Sequence, residues 1–189
     1  MKVELGKYRN SSFDPGASLL RRVAWYLVAT IFFTSRFPIG FIKLILLRAF
    51  GAEVGGGVVI KPGVNIKSPW LLKIGSDCWI GENVWIDNLV LVTLGSNVCI
   101  SQGAVILTGN HDYKCPHFSL TAKPIVVQSG VWIGAFSVVC PGVTAGDHSV
   151  LTVGSVASRD MDPFTIYRGN PAVATGVRKL SDTRLGQTM

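Results

Sequence analysis

Three histidines give this chain its groups for proton transfer near neutral pH: His111, His117 and His148. His111 stands between Asn110 and Asp112, near the start of a stretch, 107–124, that interrupts an otherwise regular pattern. A hydroxyl is a poor nucleophile until a base accepts its proton, and an imidazole with an ordinary pKa of about 6.5 suits that task. The plainer alternative is a loop histidine that only hydrogen-bonds its neighbours. His117 shares the stretch, and Cys115 between them reads as a loop thiol rather than a nucleophile. His148 takes a turn position equivalent to Asp77, Asn83 and Asn97, which suits a solvated corner. Three histidines would form a zinc site only if they converged.

The elements that must hold these groups count in sixes. Aliphatic residues fall at Val54, Ile60 and Ile66, then after a two-residue slip at Ile74, Ile80 and Ile86. A second slip leads to Leu94, Ile100 and Ile106. Beyond the interruption come Val127, Ile133, Val139, Ala145, Leu151 and Ala157. The residue two places earlier is usually small or apolar, as at Val64, Cys78, Val84, Val98, Ala104, Val131 and Ser137. A helix needs apolar spacing near 3.6 and a simple strand spacing of about 2. A period of six fits short strands separated by tight corners, three to a coil, stacked into a β-helix. Asp77, Asn83, Asn97 and Asp147 are expected at corners that require positive φ.

Stacking then relates residues far apart in sequence. Ile106 lies one coil above Ile86, so Asp87 and Asn88 are expected directly beneath the root of the His111 loop. A carboxylate there could orient the imidazole or accept hydrogen bonds from a sugar, or could serve only the turn. Trp85 offers an apolar face to a sugar ring, or coats the outside of the coil.

Composition narrows the classes. Apolar residues make up 48% of the 189, enough for one domain with attachments. The formal charge of +7 admits nucleic acid, a membrane surface or an anionic small molecule as partner. No long Lys/Arg run appears, so no nucleic-acid partner is expected. The four cysteines show no C-x-x-C spacing, which favours a reduced, cytoplasmic chain.

Ahead of the repeat, residues 1–17 read as a polar, extended arm. Residues 18–50 are strongly apolar, with Arg21, Arg22, Arg36, Lys43 and Arg48 interspersed. The longest uncharged run, residues 23–35, is 13 residues long, whereas a spanning helix needs about 20. Pro38 and Gly40 should split the segment into two helices. These pack on the β-helix or on neighbouring subunits, or anchor at the inner face of a membrane with Trp25, Tyr26, Phe32 and Phe33 in the acyl boundary. The expected divisions are thus 1–50, a β-helix over 51–160 with its loop at 108–124, and an irregular tail over 161–189.

Ile74-Gly75, Ile80-Gly81, Leu94-Gly95, Ile133-Gly134 and Ala145-Gly146 match the aliphatic-Gly-x-x-x-x motif. In this the chain resembles the hexapeptide-repeat acyltransferases, which implies an all-β fold, a left-handed parallel β-helix with an N-terminal helical segment. Parallel crossovers are otherwise right-handed by preference. The run from Thr108 to Asp112 is similar to the loop carrying the catalytic histidine in the galactoside and maltose acetyltransferase branch. The run from Gly81 to Asn88, that from Cys99 to Ala104 and that from Tyr167 to Ala172 resemble the colanic-acid-type exopolysaccharide O-acetyltransferases.

The resemblance implies acetyl-CoA as co-substrate, a sugar or glycan acceptor, no metal, and a homotrimer with sites between subunits. Carried over residue by residue, it implies His111 as general base and Trp85, Asp87 and Asn88 at the acceptor. Trp132, Ala135, Val153, Ser158, Arg159 and Arg178 would line the acetyl-CoA groove, with the Ala135 N–H near the thioester. The tail departs from the galactoside-type pattern around Ala174-Thr175-Gly176, where Arg178 follows. Two alternatives remain: a non-catalytic trimeric scaffold, and a zinc enzyme resembling the γ-class carbonic anhydrases.

Overall fold

The computed structural model describes residues 2–10, 13–35 and 39–181. Arg36 and Pro38 lie outside these residues. Every six-residue unit folds as a strand of two or three residues followed by a corner. Each coil contributes one strand to each of three walls.

Equivalent positions stack in register. Ile60 pairs with Ile80, Ile80 with Ile100, Ile100 with Ile133, and Ile133 with Leu151. A second wall stacks Ile66, Ile86, Ile106, Val139 and Ala157. The third stacks Val54, Ile74, Leu94, Val127 and Ala145. The residues two places earlier, such as Val84, Val98, Ala104 and Val131, turn inward too and are buried. Removing a Val, Leu or Ile side chain from water contributes roughly 1.5–3 kcal/mol. The lumen therefore holds the fold together, and a polar side chain at one of the isoleucine positions would break it.

Corners demand left-handed backbone, found at Asp77, Asn83 and Asn97, with φ from 56° to 58°. At a later corner of the same kind φ is positive at His148, at 57°, not at Asp147. The Asp147 carboxylate instead accepts the Ser129 N–H one coil below at 2.9 Å. Gly130, with φ 71°, lies under His148, and a Cβ there would meet the imidazole at 2.2 Å. Glycine is thus required both by the backbone and by the ring above it.

Two helices cover the first coil. Helix α1 (Leu19–Phe32) starts at Ser18, whose Oγ accepts the Arg21 N–H as an N-cap. It buries Trp25 and Ala29, and the Trp25 indole N–H donates to the Ile66 carbonyl at 2.8 Å. Helix α2 (Gly40–Ala49) buries Leu47 and Lys43. None of the described helices is long and apolar enough to cross a membrane.

The coil outlasts its expected end at residue 160. Met161 bridges to Ala145, and Thr165–Gly169 stacks in parallel on Val150–Leu151. Tyr167 continues the lumen stack there, 8% exposed, with its hydroxyl donating to Asp162. The chain then returns antiparallel as Ala172–Val177. An ordered hairpin replaces the irregular tail up to that point.

Candidate active site

The count of six fails after Leu107 because the chain leaves the coil as a β-hairpin. Gly109–His111 pairs antiparallel with Leu120–Ala122, placing His111 opposite Leu120. Thr108 fixes the root. Fully buried, its Oγ1 donates to the Asp87 carbonyl at 2.9 Å and accepts the Leu89 N–H at 2.8 Å. The Lys123 N–H returns to the Thr108 carbonyl at 3.0 Å, and the coil resumes at Ile125–Val127.

Within the turn, Asp112 N–H donates to the Ser119 carbonyl at 2.9 Å, and Phe118 N–H to the Cys115 carbonyl at 3.0 Å. Phe118 adopts φ 51°. Its carbonyl oxygen lies 2.8 Å from Nδ1 of the exposed His111 ring. A carbonyl oxygen only accepts, which assigns the neutral ring's hydrogen to Nδ1 and leaves the Nε2 lone pair to take a proton.

The N-terminal arm is not extended. It makes a 3-10 turn at Leu5–Lys7, and the Glu4 N–H donates to the Pro116 carbonyl at 2.8 Å. Residues three apart share a face of such a turn, so Leu5 and Tyr8 both point at the hairpin. Tyr8 meets the His111 ring edge-on at 5.8 Å, and Leu5, Tyr8, His111 and Phe118 line a cavity of about 440 Å³.

Asp87 pairs with Leu107 one coil up, directly beneath this root. Its carboxylate is nearly buried and paired with Lys67 Nζ at 2.8 Å, not with the imidazole. Trp85 stands outward on the same wall, 44% exposed. Both line a second cavity of about 510 Å³ between the coils and α1, where Arg22, Val23 and Tyr26 face them. Asn88 is different: it is wholly buried. Its amide donates to the Ser68 and Leu71 carbonyls at 2.6 and 2.9 Å, and its oxygen accepts the Ser68 N–H at 3.0 Å. It closes the corner between coils and presents nothing to an acceptor.

The remaining candidates divide among corners. Trp132 is 46% exposed, its N–H on Ser101 Oγ at 2.9 Å. Ala135 and Val153 sit one above the other, the Gly154 N–H meeting the Ala135 carbonyl at 2.8 Å. Ser158 and Arg159 are exposed on the corner from which the His111 hairpin also leaves, since Val156–Ala157 stacks through Val138–Val139 onto Val105–Leu107. Arg159 has no hydrogen-bond or ion-pair partner among the described residues. Arg178 lies on another corner, where its Nη1 donates to the Gly130 and His148 carbonyls at 2.8 and 3.2 Å. Those bonds tie the terminal hairpin to the coils and hold Arg178 away from Ser158 and Arg159.

His148 stacks on Phe164 with ring centroids 4.8 Å apart. Among the described residues no three His, Cys, Asp or Glu side chains form a group able to hold a metal ion.

Sequence reasoning missed Thr108, Phe118 and Tyr8. Only Thr108 left a signal: it falls one coil above Asn88, at a corner where stacking demands polar closure.

No family model matches the chain. It is 37% identical over 161 residues to a protein of Escherichia coli (strain K12) provisionally named a colanic acid biosynthesis acetyltransferase, WcaF, covering 85% of this chain and 88% of that one. Its fold superposes with a TM-score of 0.77 on the hexapeptide-repeat containing acetyltransferase VCA0836 of Vibrio cholerae O1 biovar eltor, solved in complex with acetyl coenzyme A. That pair is 26% identical over 87% of this chain and 92% of the other. The chain is a hexapeptide-repeat acetyltransferase.

Galactoside O-acetyltransferase of Escherichia coli (strain K12) is 30% identical over 72% of this chain and 68% of its own length. A galactoside acetyltransferase solved with coenzyme A shares the fold at TM-score 0.76, with 23% identity and 89% of each chain covered. This hexapeptide-repeat acetyltransferase therefore shares the β-helix of both solved proteins.

Proposed function

We propose that the enzyme moves the acetyl group of acetyl-CoA to a sugar hydroxyl of a glycan, with His111 as general base. The observation that carries this reading is the His111–Phe118 bond, which leaves Nε2 as the proton acceptor in a cavity walled by Leu5, Tyr8 and Phe118. The acceptor oxygen attacks the thioester carbonyl while Nε2 takes its proton. Collapse of the tetrahedral intermediate expels the CoA thiolate, which recovers that proton from the imidazolium. The products are an acetyl ester and free CoA, and no acyl-enzyme forms.

In this reading the Ala135 N–H faces the developing oxyanion. Ser158 and Arg159 meet the CoA phosphates, while Trp132 and Val153 flank the pantetheine arm. Trp85 offers its face to the acceptor sugar, and Asp87 lies at the lip of the same crevice. The enzyme works as a homotrimer. Trp79 and Trp132, 44% and 46% exposed on one wall of the coil exterior, give copies an apolar seat. The names of the relatives, a colanic acid enzyme and a galactoside enzyme, support a sugar acceptor.

The test is acetyl-CoA turnover over a panel of sugars and lipid-linked glycans, comparing wild type with His111→Ala. Turnover that collapses while acetyl-CoA binding persists supports the mechanism. Equal turnover in both proteins would overturn it.

A further inference from the structure

The inner face of α1 is accounted for by Trp25 and Ala29 against the coils; its outer face is not. Leu20, Leu27 and Ile31 stand outward along one side, 57–81% exposed, while Leu19, Val23 and Tyr26, 49–70% exposed, form the lip of the crevice between α1 and the coils. Phe41 and Ile45 of α2 are 64% and 57% exposed. Isolated exposed apolar residues are ordinary, but a helix whose outer side and adjoining edge together carry six is not.

Charge identifies the occupant. Between Asp14 and Glu53 the chain carries five Lys and Arg residues and no acid. Arg21 and Arg48 bond backbone carbonyls at the helix ends, and Lys43 is buried. Arg22, exposed at the lip of the crevice under α1, has no hydrogen-bond or ion-pair partner among the described residues. An apolar helix face with unopposed cations at its flank, and Tyr26 at its edge, matches an anionic lipid interface. At 14 residues, α1 lies on such a surface and cannot span it. A second copy of this chain would bring the same unopposed cations, and the outward tryptophans of the coils already offer copies a seat.

We propose that the outer face of α1, with Phe41 and Ile45 of α2, docks on an anionic lipid bilayer. This goes beyond the acetyl-transfer reading and holds or fails separately from it. The docked face adjoins the candidate site. The crevice under α1 reaches Asp87 and Leu89, and Leu89 packs against Gly109 at the root of the His111 strand, where a Cβ would meet it at 2.5 Å. Docking would thus hold the catalytic hairpin beside acceptors carried on the same surface.

The test is co-sedimentation of the full chain, without acetyl-CoA, with phosphatidylglycerol-rich and with pure phosphatidylcholine vesicles. The wild type should pellet with the anionic vesicles and be released by salt. Leu20→Glu/Leu27→Glu should weaken that binding by roughly 100-fold or more, because two buried leucines are exchanged for charges. Its mass by light scattering, its thermal unfolding and its acetyl-CoA affinity should stay those of the wild type. Three results would each overturn the proposal: no pelleting of wild type with anionic vesicles, equal pelleting of the variant, or a change in oligomeric mass in the variant. The last would show that copies of the chain cover this face.

Discussion

Nδ1 of His111 lies 2.8 Å from the carbonyl oxygen of Phe118, and Phe118 offers that carbonyl from a left-handed backbone with φ 51°. A non-glycine residue in that region costs about 1–2 kcal/mol. The hairpin carries this cost because Phe118 N–H is held on Cys115 and Asp112 N–H on Ser119. The same geometry sets the tautomer of the imidazole, so an element with no chemistry of its own decides which nitrogen can accept a proton.

His111→Asn separates the base from its orientation. Asparagine places an amide N–H where Nδ1 stands and can still donate to the Phe118 carbonyl, but accepts no proton at neutral pH. We expect kcat to fall by about 10²–10⁴-fold. Acetyl-CoA affinity, measured by calorimetry, should be unchanged. A fall in affinity with kcat intact would move His111 from proton transfer to substrate binding.

Cys115 tests whether transfer is direct. Its Sγ lies 3.4 Å from Ser119 Oγ, and that hydroxyl, with the backbone N–H groups of His117 and Ser119, lowers the thiol pKa. A thiol so placed is a rival nucleophile within the hairpin. Cys115→Ala should leave kcat unchanged, and acid-quenched enzyme should show no acetyl adduct by mass spectrometry. An adduct on Cys115, with ping-pong kinetics, would establish an acyl-enzyme instead.

How much of this was legible depends on whether a residue type or only a backbone carries the information. Ile80, Ile86 and Ile100 were readable because the key lumen position of each strand is apolar and the period repeats. Asp87 beneath the His111 root followed from the same stacking. Asn88 did not: whether a corner residue turns in or out depends on the two-residue slip after Ile86, and here it turns in. Tyr8 reaches His111 from a segment without periodicity. The Phe118 contact runs through a carbonyl, which every residue has. The ordered hairpin after residue 160 escaped because Tyr167 is a larger residue than those elsewhere in its stack.

Thr108 links the coil to the hairpin. Replacing it with valine keeps the shape but removes the hydroxyl, leaving the Asp87 carbonyl without one donor and the Leu89 N–H without its closest acceptor. Thr108→Val should lower the unfolding free energy by about 1–3 kcal/mol. It should also reduce kcat by loosening the root of the His111 strand, with acetyl-CoA affinity maintained. Thr108→Ser, which restores the hydroxyl, should recover both. Chemical denaturation and steady-state kinetics on the two variants check this, and a valine variant with wild-type stability would remove the clamp from the account.

Lys43 gives stability a pH dependence. Its side chain is fully buried under α2, with Nζ donating to the Lys61 carbonyl at 3.0 Å and lying 5.9 Å from the centre of the Phe33 ring. Burial disfavours the ammonium and lowers its pKa below the ordinary lysine value of 10.5. Between the lowered folded-state pKa and 10.5 the unfolded chain keeps a proton that the folded chain releases. Stability from this group therefore rises with pH across that window and is flat below it. Lys43→Met fills the same space without the charge, at the cost of one bond to the Lys61 carbonyl. We expect the variant to be more stable than wild type at neutral pH, with its advantage shrinking as pH climbs through the alkaline window. Denaturation curves at a series of pH values decide it. A variant less stable than wild type at every pH would show that the Lys61 bond outweighs the burial of the charge.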